Sequence, residues 1–220
     1  PVASGVARRS PRPKEIPVDS TPAAASLTGD LLYFGAGIVV LVLWIRDTRE
    51  GKGQGFPGAF WTGRRPLLLA AVGGLALTLL ETVGEGILGI SAEQGTLPAG
   101  SLLALLGAAV VEEVVFRGYL VVMDRGRAAL VGSIVLFSAL FALLHPYLWS
   151  WEDGTLVGDI RTKTVFTTVF LFLGSLWFYA VRFSFGNNRH SLLPCFVAHA
   201  TANASVWVVK LLQGHLTWGS

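Results

Sequence analysis

Long apolar runs separated by short polar stretches set the pattern of this chain. The six runs are Leu31–Ile45, Pro66–Leu80 with a continuation to Ile90, Pro98–Met123, Leu130–His145, Val165–Val181 and Leu192–Leu212. About 20 apolar residues carry a helix across the hydrocarbon of a bilayer, within a range of roughly 17–25. Several runs reach that length only by borrowing flanking residues, and Leu31–Ile45 is the most marginal. The pattern predicts an all-α, polytopic transmembrane helix bundle of about six spans, with five or seven as the neighbouring counts.

The polar stretches fall into two groups. Arg46 to Arg65 contains five Lys/Arg, and Asp124–Arg127 and Arg182–Arg189 contain two each. The alternate stretches are acidic or sparse: Ser91–Leu97 has Glu93 and no base, and Pro146–Lys163 has three acids against two bases. The positive-inside rule puts the basic group in the cytoplasm. The turn Asp124–Arg127 is therefore expected inside, with Gly95 and the N-terminal tail outside. Residues 1–25 hold five prolines, four bases and several Ser and Ala. Such a segment cannot bury enough apolar surface to fold, so it is read as a disordered tail or linker. Residues 26–97 are read as N-terminal membrane helices, and 98–213 as a membrane core that carries the chemistry. The chain begins at Pro1 rather than Met and is read as part of something longer.

Composition agrees with a membrane bundle. Of the 220 residues 52% are hydrophobic and 14% charged, against about 25% charged in soluble domains. The 26 glycines suit close helix packing and the 7 tryptophans suit membrane interfaces. A net charge of +3, spread over loops rather than one patch, gives no case for nucleic acid. The single cysteine, Cys195, rules out an intrachain disulfide and a Cys-based metal cluster. The expected setting is an integral, multi-pass membrane protein, in the cytoplasmic membrane if the host is bacterial.

A few polar residues interrupt the apolar runs. Ionisable groups in hydrocarbon are costly and usually face a bundle interior or a water-filled cavity, so each is a functional candidate. Glu112, Glu113 and Arg117 lie inside the run Leu102 to Met123. On a helix Glu113 and Arg117 are four apart and share a face, which suits an ion pair. Glu112 lies about 100° round and points elsewhere, which leaves it free to work. His145 ends its run four residues after Phe141, and His199 precedes Asn203 by four. Singly, each has a plain reading: an interfacial histidine before Pro146, or interhelical hydrogen bonding by His199 and Asn203. Glu112 and His145 are each expected roughly 20 Å along their helices from the turn between them, with His199 shallower. Helix tilt would be needed to bring them together.

Together, Glu112-Glu113-x-x-x-Arg117, Phe141-x-x-x-His145 and His199-x-x-x-Asn203, in order on separate apolar runs, resemble the three motifs of the CPBP (Abi) intramembrane proteases. The CAAX prenyl endopeptidases of the Ras-converting type belong to that family. The resemblance covers about Pro98 to Leu212. It implies a helical membrane fold and a glutamate-dependent endopeptidase acting on a membrane-associated peptide or protein. In it Glu112 and His145 activate water, and His199 and Asn203 stabilise the oxyanion; no metal or other cofactor is expected, because the sequence contains no established zinc spacing. Glu113, Arg117 and Phe141 are the supporting residues.

The residue types fit that chemistry independently. Peptide hydrolysis needs a base for water, donors for the oxyanion and exclusion of bulk solvent. Two other classes stay open on sequence alone. Glu112, His145 and His199 are possible zinc ligands, three protein ligands plus water being a catalytic zinc pattern. A non-enzymatic proton-linked transporter or membrane scaffold would also bury such groups. There is no His-Glu-x-x-His motif. Ser138, Ser175 and Ser205 lack a Gly-x-Ser-x-Gly-like setting. Glu81 and Glu85 are read as interfacial acids at the outer end of the second span, with a role in a cavity as the alternative.

Overall fold

The computed structural model describes residues 23–50 and 62–218. Residues 1–22 of the proline-rich stretch lie outside the described residues, as does Lys52 of the first basic loop. Six helices follow one another: α1 Ala23–Arg49, α2 Arg64–Leu88, α3 Leu102–Glu112, α4 Gly126–Leu144, α5 Thr162–Phe183 and α6 Leu193–Leu212. All six, with α3 extended to Ala99–Tyr119, are long and apolar enough to cross a membrane. Large apolar side chains such as Leu32, Val72 and Ile87 stand exposed on them, as lipid-facing positions do. The protein is an integral, multi-pass membrane protein.

Local sequence accounts for the helix ends. α2 stops at Gly89, whose φ of 70° is readily available only to glycine, and its N–H caps the carbonyls of Glu85 and Gly86. α4 stops at His145, which has φ −78° and ψ 123°. Pro146 follows, and a residue before proline is driven out of the helical region. α6 carries Pro194 in its first turn, where a missing N–H costs no hydrogen bond.

The third run departs from expectation. A single helix to Met123 was expected, but the helix is α only to Glu112 and continues as a π-helix over Glu113–Tyr119. The wider turn is closed by an i to i−5 bond, Leu120 N–H to the Val115 carbonyl at 3.0 Å. The Val122 N–H is then taken by Ser133 Oγ at 3.2 Å, outside any helix. Apolar spacing alone does not distinguish an α-turn from a π-turn, and it does not show this side-chain competitor.

Close approach of the helices needs small residues. A Cβ on Gly107 of α3 would lie 2.6 Å from the Tyr33 carbonyl oxygen, and one on Gly37 of α1 would lie 2.7 Å from Gly107 Cα. A Cβ on Gly74 of α2 would collide with the Ala198 carbonyl of α6. The buried core gathers Trp44, Ala70, Val114, Phe178, Val181, Leu192, Cys195 and Ala198.

One end of the bundle carries Arg46, Arg49, Arg64, Arg65, Arg125, Arg127 and Arg189, and is tied by Tyr119 Oη donating to Asp47 at 3.3 Å. The opposite end holds the link between α2 and α3, a hairpin and the end of α6. The hairpin, read from sequence only as a loop, pairs β2 (Trp149–Glu152) antiparallel with β3 (Thr155–Gly158). Its turn uses Asp153 and Gly154 at φ 49° and 76°, the conformation that Asp-Gly favours between strands. Leu97–Pro98 (β1) lies parallel to Leu216–Thr217 (β4) at the same end.

Candidate active site

Helices α3 and α6 run antiparallel, and three contacts set their register. Trp207 Nε1 donates to the Ala99 carbonyl at 3.0 Å, and Asn203 Nδ2 donates to the Leu105 carbonyl at 2.8 Å. One turn deeper, His199 meets Glu112 and Glu113. Each four-residue step along α6 is matched by six or more residues of the α3 segment, so the two helices cross rather than run in strict parallel lines.

His199 lies between the two carboxylates. Its Nδ1 is 2.7 Å from Glu113 Oε1, and its Nε2 is 3.7 Å from Glu112 Oε2. Arg117 Nη1 reaches the same Glu113 oxygen at 3.1 Å, so the pair expected from the i, i+4 spacing is present, with both side chains fully buried. The expectation that Glu112 points elsewhere is corrected in part. The change from α to π at Glu113 lets adjacent carboxylates address opposite nitrogens of one ring. A carboxylate paired with arginine accepts hydrogen bonds and cannot donate them. The Nδ1 of His199 is therefore the donor to Glu113, which directs Nε2 toward Glu112.

Arg117 is caged by the rings of Phe141 at 4.4 Å, Tyr179 at 5.0 Å, Phe178 at 5.1 Å and Phe116 at 5.8 Å from its guanidinium carbon. Ring faces attract a desolvated cation, which offsets part of the cost of burying it. Phe178 also stacks on His199, with centroids 4.8 Å apart and planes 21° from parallel, while Phe141 meets that ring edge-on at 6.0 Å. Tyr179 Oη donates to the Phe116 carbonyl of the π-helix at 2.7 Å.

His145 reaches the site from the end of α4. Its Nδ1 lies 2.8 Å from the Phe141 carbonyl, which only accepts, so Nδ1 carries the proton. In the neutral ring that tautomer leaves the lone pair on Nε2. The ring of Tyr147 is parallel to that of His145, with centroids 6.5 Å apart. Burial, and then the charge of Glu81, push the Tyr147 hydroxyl above its ordinary range, so it keeps its proton at neutral pH.

Glu112, Phe141, His145, His199 and Asn203 all line one cavity of about 480 Å³. The α3 lining comes from Leu105, Ala108 and Glu112, positions three and four apart on one face. Glu113 and Arg117 stand behind this surface. Of the motif carboxylates, only Glu112 opens on the cavity, with its side chain 27% exposed against 0% for Glu113. Among the described residues, no group of three or more His, Cys, Asp or Glu is arranged to hold a metal ion.

Glu81 and Glu85 also line the cavity, and the expectation that both are interfacial is corrected. Glu85 is 4% exposed and is held by Lys163 of α5 and the amide of Gln94. The helix wheel of α2 turns these acids toward α5 and α6 rather than toward lipid, which hydropathy alone does not report. Lys163, Lys210, Gln94 and Gly95 complete that end of the cavity, the end away from the basic loops.

Fold and cavity define a multi-pass membrane protein with a carboxylate–histidine site enclosed between its helices. Residues 94–205 match the family model of the type II CAAX prenyl endopeptidase Rce1-like proteins, and the chain belongs to that family. No curated protein and no solved structure matches the chain.

Proposed function

We propose that the protein is a membrane-embedded, glutamate-dependent endopeptidase that hydrolyses a peptide bond in a membrane-associated protein or peptide. Membership of a prenyl endopeptidase family supports the reaction class. The observation that carries the mechanism is Glu112: it alone of the two motif carboxylates faces the cavity, beside an imidazole already fixed by Glu113.

In this reading, water lies between Glu112 and Nε2 of His145. Glu112 takes its proton as the oxygen attacks the carbonyl carbon, and His145 accepts a hydrogen bond from the same water. Glu112 Oε2 and His199 Nε2 stand 3.7 Å apart, so the proton passes between them once substrate closes the pair to hydrogen-bond distance. A His199 ring that holds it is a donor on both sides, with Nδ1–H to Glu113 and Nε2–H to the developing oxyanion. Asn203 uses one amide hydrogen on the Leu105 carbonyl and has the second for the same oxyanion. When the tetrahedral intermediate collapses, the proton passes through Glu112 to the leaving nitrogen. Water has then supplied hydroxyl to the acyl carbon and hydrogen to the amine.

The test is single-turnover cleavage by the purified full chain in nanodiscs, wild type against Glu112→Gln. A prenylated C-terminal peptide, the substrate type in the family's name, is the first reporter, and unprenylated peptides follow. The amide keeps shape and polarity but cannot take the proton, so cleavage is expected to fall to background. Cleavage by Glu112→Gln at the wild-type rate would make the mechanism wrong.

A further inference from the structure

Helix α5 carries none of the three motifs, yet its Ser175, Phe178 and Tyr179 all touch motif residues. Ser175 is fully buried in the middle of an apolar span. A serine in such a place commonly returns its hydroxyl to a carbonyl one turn back. Here Ser175 Oγ accepts from Arg117 Nη2 at 2.6 Å and donates to Ser138 Oγ of α4 at 3.0 Å, and Ser138 is fully buried too. Arg117 is thus held from two sides, by Ser175 through Nη2 and by Glu113 through Nη1. Three residues along the same face of α5, Phe178 stacks on His199. The carbonyl of Phe178 accepts from Cys195 Sγ at 3.2 Å, which fastens this part of α5 to α6, the helix that bears His199.

These contacts form one chain from Ser138 through Ser175, Arg117 and Glu113 to His199 and Glu112. The guanidinium is planar, so an oxygen on one of its amino groups sets the direction of the others. The direction of Arg117 sets which Glu113 oxygen is engaged, and that oxygen sets the proton on His199 Nδ1. Stacking by Phe178 fixes the plane of the same ring.

We propose that Ser175 and Phe178 are positioning residues of this site: Ser175 orients Arg117, and through Glu113 the proton of His199, while Phe178 holds the ring plane. The proposal rests on the peptidase reading for its kinetic consequences, and on the hydrogen bonds and the Arg117–Glu113 ion pair for the proton position.

Two measurements on Ser175→Ala, Ser175→Thr, Ser138→Ala and Phe178→Leu test it: single-turnover cleavage per folded enzyme, and the ring nitrogen-15 spectrum of His199 in detergent micelles. Misplacement of reacting groups by about an ångström costs on the order of 100-fold. For Ser175→Ala we expect a loss of about 10–100-fold in kcat with KM little changed, and a mixture of His199 tautomers where the wild type has Nδ1–H. Ser175→Thr keeps the hydroxyl and should restore both. Phe178→Leu should lower kcat and leave the Nδ1–H tautomer in place. If Ser175→Ala does not fold, Ser138→Ala takes its place, since it removes the next oxygen without touching Arg117; it should shift both readouts in the same direction. A wild-type kcat, or an unchanged tautomer, in the folded variant that removes the hydroxyl overturns the role of Ser175. A wild-type kcat in Phe178→Leu overturns the role of Phe178. Should Glu112→Gln cleave as well as wild type, the peptidase reading fails by that result, and the tautomer spectrum alone decides whether Ser175 positions the ring.

Discussion

The imidazole of His199 and the carboxylate of Glu113 meet at 2.7 Å, with Glu113 fully buried and the same oxygen 3.1 Å from Arg117 Nη1. This contact links the first motif to the third across 86 residues of chain. It sets Glu113 apart from its neighbour: Glu113 is buried against His199 and Arg117, and Glu112 faces the cavity. The two acids are adjacent in sequence, and neighbours on a helix point about 100° apart, so one meets the cavity and the other the core.

That difference is measurable as stability. Glu113→Ala leaves Arg117 buried without its counter-ion and His199 Nδ1 without its acceptor. Removing one partner of a buried pair costs about 3–5 kcal/mol. Glu112→Ala, on the cavity wall, should cost clearly less. Melting in detergent should rank wild type above Glu112→Ala and both above Glu113→Ala. A Glu113→Ala variant that melts with the wild type would argue against a stabilising pair.

Asn203→Ala should keep part of the activity. One oxyanion donor is typically worth about 2.7–4 kcal/mol, or roughly 100–1,000-fold in rate. The same change also removes the hydrogen bond to Leu105, so melting must be recorded beside cleavage. The double variant Glu112→Gln with Asn203→Ala should be hardly slower than Glu112→Gln alone, because groups that act as one unit are not additive. Full additivity of the two losses would show that they serve separate steps.

Exhaustive chelation should leave cleavage intact. The chain contains no His-Glu-x-x-His spacing, and the proposed steps use only its own acids, bases and donors. The measurement is the rate before and after dialysis against chelator, then after zinc is added back. Loss on chelation with recovery on zinc would move Glu112, His145 and His199 from acid–base roles to ligands.

The basic loops and the outer lining of the cavity lie at opposite ends of the bundle, so orientation decides from which side the cavity is reached. The positive-inside rule assigns the basic end to the cytoplasm. Single cysteines at Arg125→Cys and Gly95→Cys should label with an impermeant reagent from opposite sides, Gly95→Cys from the non-cytoplasmic one. Gly126 is avoided because its φ of 86° disfavours a side chain, and Cys195 is fully buried. Labelling of Gly95→Cys from the cytoplasm would reverse the orientation and the side from which the cavity is reached.

The sequence by itself determined the membrane-spanning helices and the short set of polar residues that must be explained within them. Hydrocarbon imposes both: a span needs a run of apolar residues of set length, and every charge inside it is expensive enough to stand out. The i, i+4 spacing of Glu113 and Arg117 was legible for the same reason, since an ion pair along one helix needs no knowledge of any other helix. The pre-proline position of His145 likewise announced the end of α4. What only the tertiary structure decided lies between helices. That both carboxylates address His199 depends on a π-turn and on the crossing of α3 with α6, neither of which leaves a periodic signal. The hold on Glu85 inside the cavity depends on Lys163 and Gln94, far away in the chain or in a loop. Ser175 and Phe178 were hidden because a serine or phenylalanine in an apolar run looks the same whether it faces lipid, core or an arginine. Hydropathy measures transfer from water, and it is blind to which neighbour awaits on the other side.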